Sequence, residues 1–294
     1  MARLRLLLPS LLALAVPGFA QHLPDKFRDN RAGWEESLAK GASAPVRKAT
    51  ESLLLQEGPA VNPSDYNAMH ALVAVMGLAA RSCVMEGAWE DAVAHLKKAA
   101  QTAADNASGA EATLGSIRGQ HQANLKAWRT ELAKLEQRVQ DLDAQPGLTS
   151  DQLKVRTQAR AQMDEYRNAA AASERSLGEI ASILAQLRKE QDVYAASLAE
   201  WQGFLAKEKA DIARVGSNEA YVTEKLEQVK GDDAKPLAER LAYARRLVRL
   251  DPVSADGKRF LAGLTGGEEE KPAPKPAPAR KAKKAKSKKA RAAN

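Results

Sequence analysis

The stretch RVQDLDAQPGLTSDQLKV, residues 138–155, decides the fold because it joins two long amphipathic segments through a short break. Pro146 and Gly147 end one helix and allow a tight reversal, and Thr149 with Gln152 has the spacing of a capping box for the next helix. A connection this short makes its two helices antiparallel neighbours. We therefore predict a helical hairpin whose tip lies near residues 146–149.

The segment after this break repeats with alternating spacings of three and four residues, which is the pattern of a coiled-coil seam. Thirteen of the sixteen repeat positions are apolar; the sixteen are Met163, Tyr166, Ala170, Ser173, Leu177, Ile180, Leu184, Leu187, Gln191, Tyr194, Leu198, Trp201, Leu205, Glu208, Ile212 and Val215. A matching stripe precedes the break, at Leu114, Ile117, His121, Leu125, Trp128, Leu132, Leu135, Val139 and Leu142.

Folding the chain about this tip pairs residues whose numbers sum to about 294. His121 then meets Ser173, and Leu132 meets Met163. Further from the tip, small residues oppose large ones, as close helix packing requires: Ala110, Ala107, Ala103 and Ala100 face Leu184, Leu187, Gln191 and Tyr194. We predict one helix from Trp89 to Gln145, with residues 105–109 as its weakest point, and an arm over 105–216.

The remaining segments predict a small helical base. Breakers indicate irregular structure over 21–44, followed by a base over 45–104. That base holds a helix from Val46 to Gln56 and an apolar helix capped by Ser64 or Asp65. Short helices at 218–229, 235–250 and 255–264, within 217–265, are expected to pack on the base. The fold class is all-α: a small base with a long antiparallel coiled-coil hairpin.

Two places in the base resemble the tetratricopeptide repeat family. The first carries Ala80, Gly87, Trp89, Ala92, Leu96 and Ala99, although Ala104 stands where the closing proline is usual. The second carries Leu250, Asp251, Pro252, Leu261 and Ala262. The resemblance implies helical hairpins that bind proteins, here with a coiled coil inserted between the repeats. The whole chain is similar to exported bacterial proteins that combine such repeats with a coiled coil.

The first twenty residues have the parts of a secretory signal peptide. Arg3 and Arg5 precede an apolar run over 6–16, and small residues lead to a cleavage site after Ala20. No cysteine follows that site, so we expect an exported, periplasmic protein without a lipid anchor. The alternative is a buried N-terminal helix.

Positive charge is concentrated at the C-terminus. Residues 271–294 hold ten Lys and Arg and no acid, whereas residues 21–270 have a net charge of about −4 from 33 basic and 37 acidic residues. The Lys, Ala and Pro composition of 266–294 predicts disorder. Candidate polyanion-binding residues are Lys281, Lys283, Lys284, Lys286, Lys288, Lys289 and Arg291. The alternative is a solubilising tail without a dedicated partner.

No motif predicts chemistry. The histidines His22, His70, His95 and His121 lack metal-ligand spacing, and we find no phosphate loop or nucleophile motif. The lone Cys83 lies in an apolar helical context, which favours a buried side chain. We therefore expect no enzyme activity, no cofactor and no metal.

Three functions remain open at this stage. The first is an exported scaffold or adaptor that binds proteins through base and arm and anionic envelope surfaces through its tail. The second is a periplasmic holdase chaperone. Chaperones of that kind with helical arms carry a β-sheet body, and we see no strand pattern in this sequence. The third, if the chain is not exported, is non-specific binding of nucleic acid. The oligomeric state is also open.

Overall fold

The computed structural model describes residues 22–229 and 235–266, which form eight α-helices without a β-strand. The helices are α1 His22–Ala39, α2 Ser43–Glu57, α3 Tyr66–Met85, α4 Trp89–Asp143, α5 Ser150–Val215, α6 Asn218–Val229, α7 Leu237–Leu250 and α8 Ala255–Leu264, with a 3-10 turn at Gly58–Ala60. The predicted all-α class is confirmed. The predicted signal peptide at 1–20 and the tail from 267 onwards lie outside the described residues.

Helices α4 and α5 form the predicted antiparallel pair, and the predicted register is confirmed. The His121 Nδ1 and Ser173 Oγ atoms lie 3.0 Å apart. Ala107 and Ala110 share one apolar cluster with Leu184 and Leu187. Helix α4 also runs without interruption through residues 105–109. Counting outward from the turn at residues 146–149 therefore predicted which residues meet, and the alternation of small and large residues agrees with that register.

Two positions of the predicted stripes are wrong. Ile117 of the α4 stripe is 40% exposed. The sequence pattern assigned the buried place to Gln191, but Gln191 is only half-buried and Glu190 is 2% exposed. The reason is that α3 also packs on this part of the α4–α5 pair, so the apolar face of α5 turns toward a third helix. A two-helix repeat cannot anticipate that change.

The predicted irregular segment over 21–44 is also wrong, because most of it forms α1. Pro24 lies in the first turn of this helix, where a missing backbone N–H costs no intrahelical hydrogen bond. Leu23, Phe27 and Leu38 are buried on one face, and Trp34 packs against the same cluster. This apolar spacing, rather than Pro24 and Gly33, was the informative signal.

Helix α3 is the centre of the base. Fourteen of its twenty residues are buried, and it packs against α1, α2, α4 and α7. Asp65 caps it, since the Asp65 carboxylate accepts a hydrogen bond from the Ala68 N–H at 2.9 Å. Among the described residues it is the one helix long and apolar enough to cross a membrane, but 78% of its most apolar window is buried inside the fold.

The last three helices pack where α4 and α5 enter the base. Tyr221, Val222 and Leu226 of α6 form a cluster with Leu247 of α7, and Ile212 of α5 packs on it. Helix α7 also lies against the turn between α3 and α4. There Gly87 has a φ of +70°, and a Cβ at this position would lie 2.7 Å from the carbonyl carbon of Arg245. Only glycine fits so close to α7.

Candidate functional site on the arm and at its junction with the base

The arm is the part of α4 and α5 that extends beyond α3. Tyr66, the first residue of α3, packs against a cluster that contains Ala110 and Ile180. Between about residues 115 and 179 the apolar clusters contain residues of α4 and α5 alone. At 1.5 Å per residue, the free part of α4 is about 45 Å long. The arm therefore presents two helices to solvent along a considerable length.

The arm surface is polar. The apolar seam between its two helices is only partly buried, because no third helix among the described residues packs on it. Val139, Ala159 and Met163 are buried near the tip, whereas Leu132 and Leu135 are half-buried. Ile117 and Leu153 are exposed large apolar residues, at 40% and 42%. Single exposed apolar side chains of this kind are normal on a helix surface.

Charged pairs line the edges of the arm and match the register. Arg188 Nη2 lies 2.7 Å from Glu111 Oε2, Arg167 Nη2 lies 3.1 Å from Glu136 Oε1, and both Arg156 and Arg160 bind Asp143. These two arginines lower the pKa of the Asp143 carboxyl, mainly through the hydrogen bond from Arg156. Exposed pairs stabilise a fold only weakly, so their main effect is to favour this register over a shifted one.

A shallow open groove follows one face of α4. Its lining includes Lys126, Arg129 and Lys134 and no acidic residue, together with Gln122, Leu125, Thr130, Ala133 and Gln137. Arg129 also reaches Glu174 across the arm at 2.7 Å. The groove is thus a basic strip on an otherwise mixed surface.

The tip is a tight and well-capped reversal. Gly147 has a φ of +82°, which allows the chain to turn. The Thr149 side chain accepts a hydrogen bond from the Gln152 N–H, while the Gln152 side chain accepts one from the Thr149 N–H. The predicted capping box is confirmed, so the tip is an ordered part of the arm.

A polar layer lies where the arm meets α3, between two apolar clusters. His70 Nδ1 lies 2.9 Å from Glu190 Oε1, although the geometry is not that of a hydrogen bond. Asn106 of α4 is 2% exposed, and its side-chain amide makes no hydrogen bond within the described residues. One turn beyond Glu190, burial raises the pKa of the Tyr194 hydroxyl, and the charge of Glu190 adds to that effect.

A buried ion cluster joins α7 to both helices of the arm. The Arg246 guanidinium contacts Glu208 of α5, donates to Glu90 Oε2 of α4 at 2.7 Å and to the Gly87 carbonyl at 3.2 Å. It also lies over the Trp89 ring, 5.0 Å from the centroid. Burial lowers the pKa of Arg246, but the hydrogen bonds with Glu90 and Glu208 outweigh it and raise the pKa. The cluster therefore connects α7 to the start of α4 and to the base end of α5.

A second charged cluster lies on the other side of the base, around Arg47 of α2. Its guanidinium contacts Glu51 at 2.9 Å, Glu86 at 3.2 Å and Asp91 at 2.8 Å. Burial raises the pKa of Glu86, although Arg47 opposes this shift. The cluster therefore connects α2, the α3–α4 turn and the start of α4.

Three potential metal ligands come together beside Arg47. Glu51 of α2, Cys83 of α3 and His95 of α4 each offer one ligand atom, and these atoms lie within 4.8 Å of one another. Burial raises the pKa of the Cys83 thiol to about 12, even though Arg47 lowers it. This group could not be predicted from the sequence, because its members lie on three helices and share no spacing.

The seven predicted polyanion-binding residues, from Lys281 to Arg291, lie outside the described residues, so their predicted role stays a prediction. The described residues likewise do not test the predicted lack of enzyme activity, which stays a prediction. The predicted buried state of Cys83 is confirmed, since its exposed fraction is 0%.

Comparison with known proteins gives no relative: no family model, no curated protein and no solved structure matches the chain. In the first of the two places that resemble a tetratricopeptide repeat, Ala80, Trp89 and Ala92 are buried together in one cluster. Leu250, Pro252 and Leu261 of the second place are not part of that cluster. A helical hairpin of another ancestry would bury the first three residues in the same way, so the family resemblance stays a prediction.

Proposed function

We propose that the chain is a non-catalytic, exported scaffold that binds protein partners through its arm and base and holds them near an anionic surface through its basic tail. The observation that carries this proposal is the two-helix arm, which extends about 45 Å beyond the base. An arm of this form offers a long surface for another protein but no enclosed pocket for a small substrate.

The way in which the arm is attached supports the same function. The Arg246 cluster connects α4, α5 and α7, and Trp89 and Trp201 pack edge to face with their centroids 5.5 Å apart. Because Arg246, Glu208 and the two tryptophans are buried, we expect the base to fix the orientation of the arm. A fixed arm holds a partner at a defined distance, which is what a scaffold requires.

Composition supports the remaining parts of the proposal. The signal-like start suggests export to a bacterial periplasm with cleavage after Ala20, and the ten basic residues of 271–294 suit anionic lipid or cell-wall polymer. The base is proposed to be tetratricopeptide-like, with the arm inserted between its helices.

Shortening the arm without changing its pairing tests the proposal. Deletion of residues 118–131 and 163–176 together removes two heptads from each helix, and the new neighbours 117/177 and 132/162 keep the sum of 294. The arm becomes about 21 Å shorter. We expect pull-downs from envelope extracts with the mature chain to recover a few defined partners, and the shortened variant to lose them.

Two controls make the result interpretable. Thermal unfolding of the shortened variant should show an intact base, and a variant without residues 271–294 should keep the same protein partners. Recovery of the same partners with the shortened arm would contradict the proposal. A broad mixture of unfolded clients would favour a holdase. Detection of the protein in the cytoplasm with residues 1–20 still attached would contradict the proposed export.

A further inference from the structure

Glu51, Cys83 and His95 converge although their helices are separate in sequence. Each residue comes from a different helix of the base, α2, α3 and α4, and packing of those helices brings the three ligand atoms within 4.8 Å of one another. Thiolate, imidazole and carboxylate are the three ligand types that zinc takes in proteins. We infer that these three side chains form a binding site for a divalent transition metal ion of the zinc class.

The separation of two of these atoms in the structure fits this assignment. His95 Nε2 lies 3.4 Å from Glu51 Oε1. Two ligands at about 2.05 Å from a tetrahedral ion are about 3.3 Å apart, so little movement is needed on this edge of the site. The mixture of sulfur, nitrogen and oxygen ligands selects against magnesium and calcium, which prefer oxygen alone.

The Cys83 side chain provides an independent indication. It is completely buried and makes no hydrogen bond to the described residues, yet its sulfur lies beside two polar ligand atoms rather than in a purely apolar environment. Bound metal would take the sulfur as a thiolate, and the thiol proton would be released to solvent on binding. The ion does not change oxidation state.

Arg47 contacts the ligand Glu51 and orients its carboxylate. Its Nε donates to Glu51 Oε1 at 2.9 Å, while its other nitrogens contact Glu86 and Asp91. Metal-binding carboxylates are commonly oriented by such partners. The charge of Arg47 is compensated by Glu86 and Asp91. Glu51 Oε1, the oxygen that faces His95 Nε2, accepts one hydrogen bond from Arg47 and keeps a second lone pair for the ion.

Three protein ligands leave a fourth position for water. Cys83 closes the inner side, whereas Glu51 and His95 are half-buried at the surface of the base. The ion would therefore enter from the outer side and cross-link α2, α3 and α4. This inference is independent of the arm and of the proposed scaffold function.

Cobalt substitution tests the site in the full-length mature protein. After removal of metal with a chelator, Co²⁺ alone should bind at one ion per chain and produce a near-ultraviolet thiolate-to-cobalt charge-transfer band. Zn²⁺ should displace it. Zn²⁺ should also raise the Tm of the wild-type protein relative to its own metal-free form. Since Cys83 is the one cysteine in the chain, the band identifies its source.

Variants separate ligation from stability. Cys83→Ala, His95→Gln and Glu51→Gln should each weaken Zn²⁺ binding by about 100-fold or more, since even second-layer partners commonly contribute 10–100-fold. Each Zn²⁺-induced Tm shift is compared with the metal-free form of the same variant. His121→Gln, in the arm, should bind Zn²⁺ normally. No cobalt binding, or binding without the charge-transfer band in the wild-type protein, would overturn the inference.

Discussion

Gly77 lies in the middle of α3, where α5 passes so closely that a methyl group has no room. A Cβ on Gly77 would lie 2.9 Å from Tyr194 Cε1 and 3.1 Å from Tyr194 Cζ, besides its contact with the hydroxyl. Tyr194 is 3% exposed and cannot move aside. Tyr194 of α5 thus requires a small residue at position 77 of α3, just as the large side chains of α5 require the alanines of α4.

We expect Gly77→Ala to lower the free energy of unfolding by about 1–2 kcal/mol, because the overpacking cost exceeds the gain in helix propensity. Gly178→Ala is the matched control: Gly178 is also within a helix, but a Cβ there meets nothing within 4 Å. That variant should gain about 0.5–1 kcal/mol. Urea unfolding measures both, and equal stabilisation of the two variants would show that Tyr194 does not press on α3.

At the scale of helices, the sequence was sufficient for the long pair and insufficient for its surroundings. The pairing of His121 with Ser173 follows from counting outward from one tight turn, because a coiled coil allows few alternative registers. Helix boundaries were also predictable where caps are explicit, as at Asp65 and Thr149.

The parts that could not be predicted depend on three or more helices meeting. Glu190 replaces Gln191 in the buried seam because residues of α3 contact that side of α5, where His70 meets Glu190 and Gly77 meets Tyr194. The group of Glu51, Cys83 and His95 exists only once α2, α3 and α4 are packed. Periodicity describes one helix face at a time, so it does not contain these relations. The error at α1 is different, because its apolar spacing was present in the sequence and was given too little weight.

The Arg246 cluster gives a prediction about how the helices are held together. Arg246 and Glu208 have side-chain exposures of 3% and 4%, so removal of one partner leaves a buried, unpaired charge. Arg246→Met should therefore cost about 3–5 kcal/mol of unfolding free energy, and the double variant Arg246→Met/Glu208→Leu should recover much of it.

Arg259→Met is the control for that experiment, since the Arg259–Asp256 pair is exposed and on a single helix. Its effect should remain below about 1 kcal/mol. All four proteins can be compared by urea unfolding under the same conditions. A double variant as unstable as Arg246→Met alone would mean that the arginine acts through its packing on Trp89 rather than through the buried charge of Glu208.

For the whole molecule, the arrangement of the ends is the important feature. Helices α1 and α8, which lead to the two termini, belong with the base, whereas Gly147 marks the far end of the arm. A surface bound by the tail and a protein bound at the tip would then be held on different parts of one rigid fold. The charge distribution agrees with this division, with a net charge of about −4 over 21–270 and +10 over 271–294.

Vesicle binding tests the role of the tail. The mature chain should bind phosphatidylglycerol vesicles and not phosphatidylcholine vesicles, with an affinity that falls as salt is added. Replacement of Lys281, Lys283, Lys284, Lys286, Lys288, Lys289 and Arg291 by Gln should weaken that binding more than 100-fold, since each basic residue near an anionic surface contributes about 1 kcal/mol. The Tm should not change, because the described core clusters consist of residues within 22–229 and 235–266. Undiminished vesicle binding by the substituted chain would place the membrane-binding surface on the arm, whose basic strip at Lys126, Arg129 and Lys134 would then be the next region to substitute.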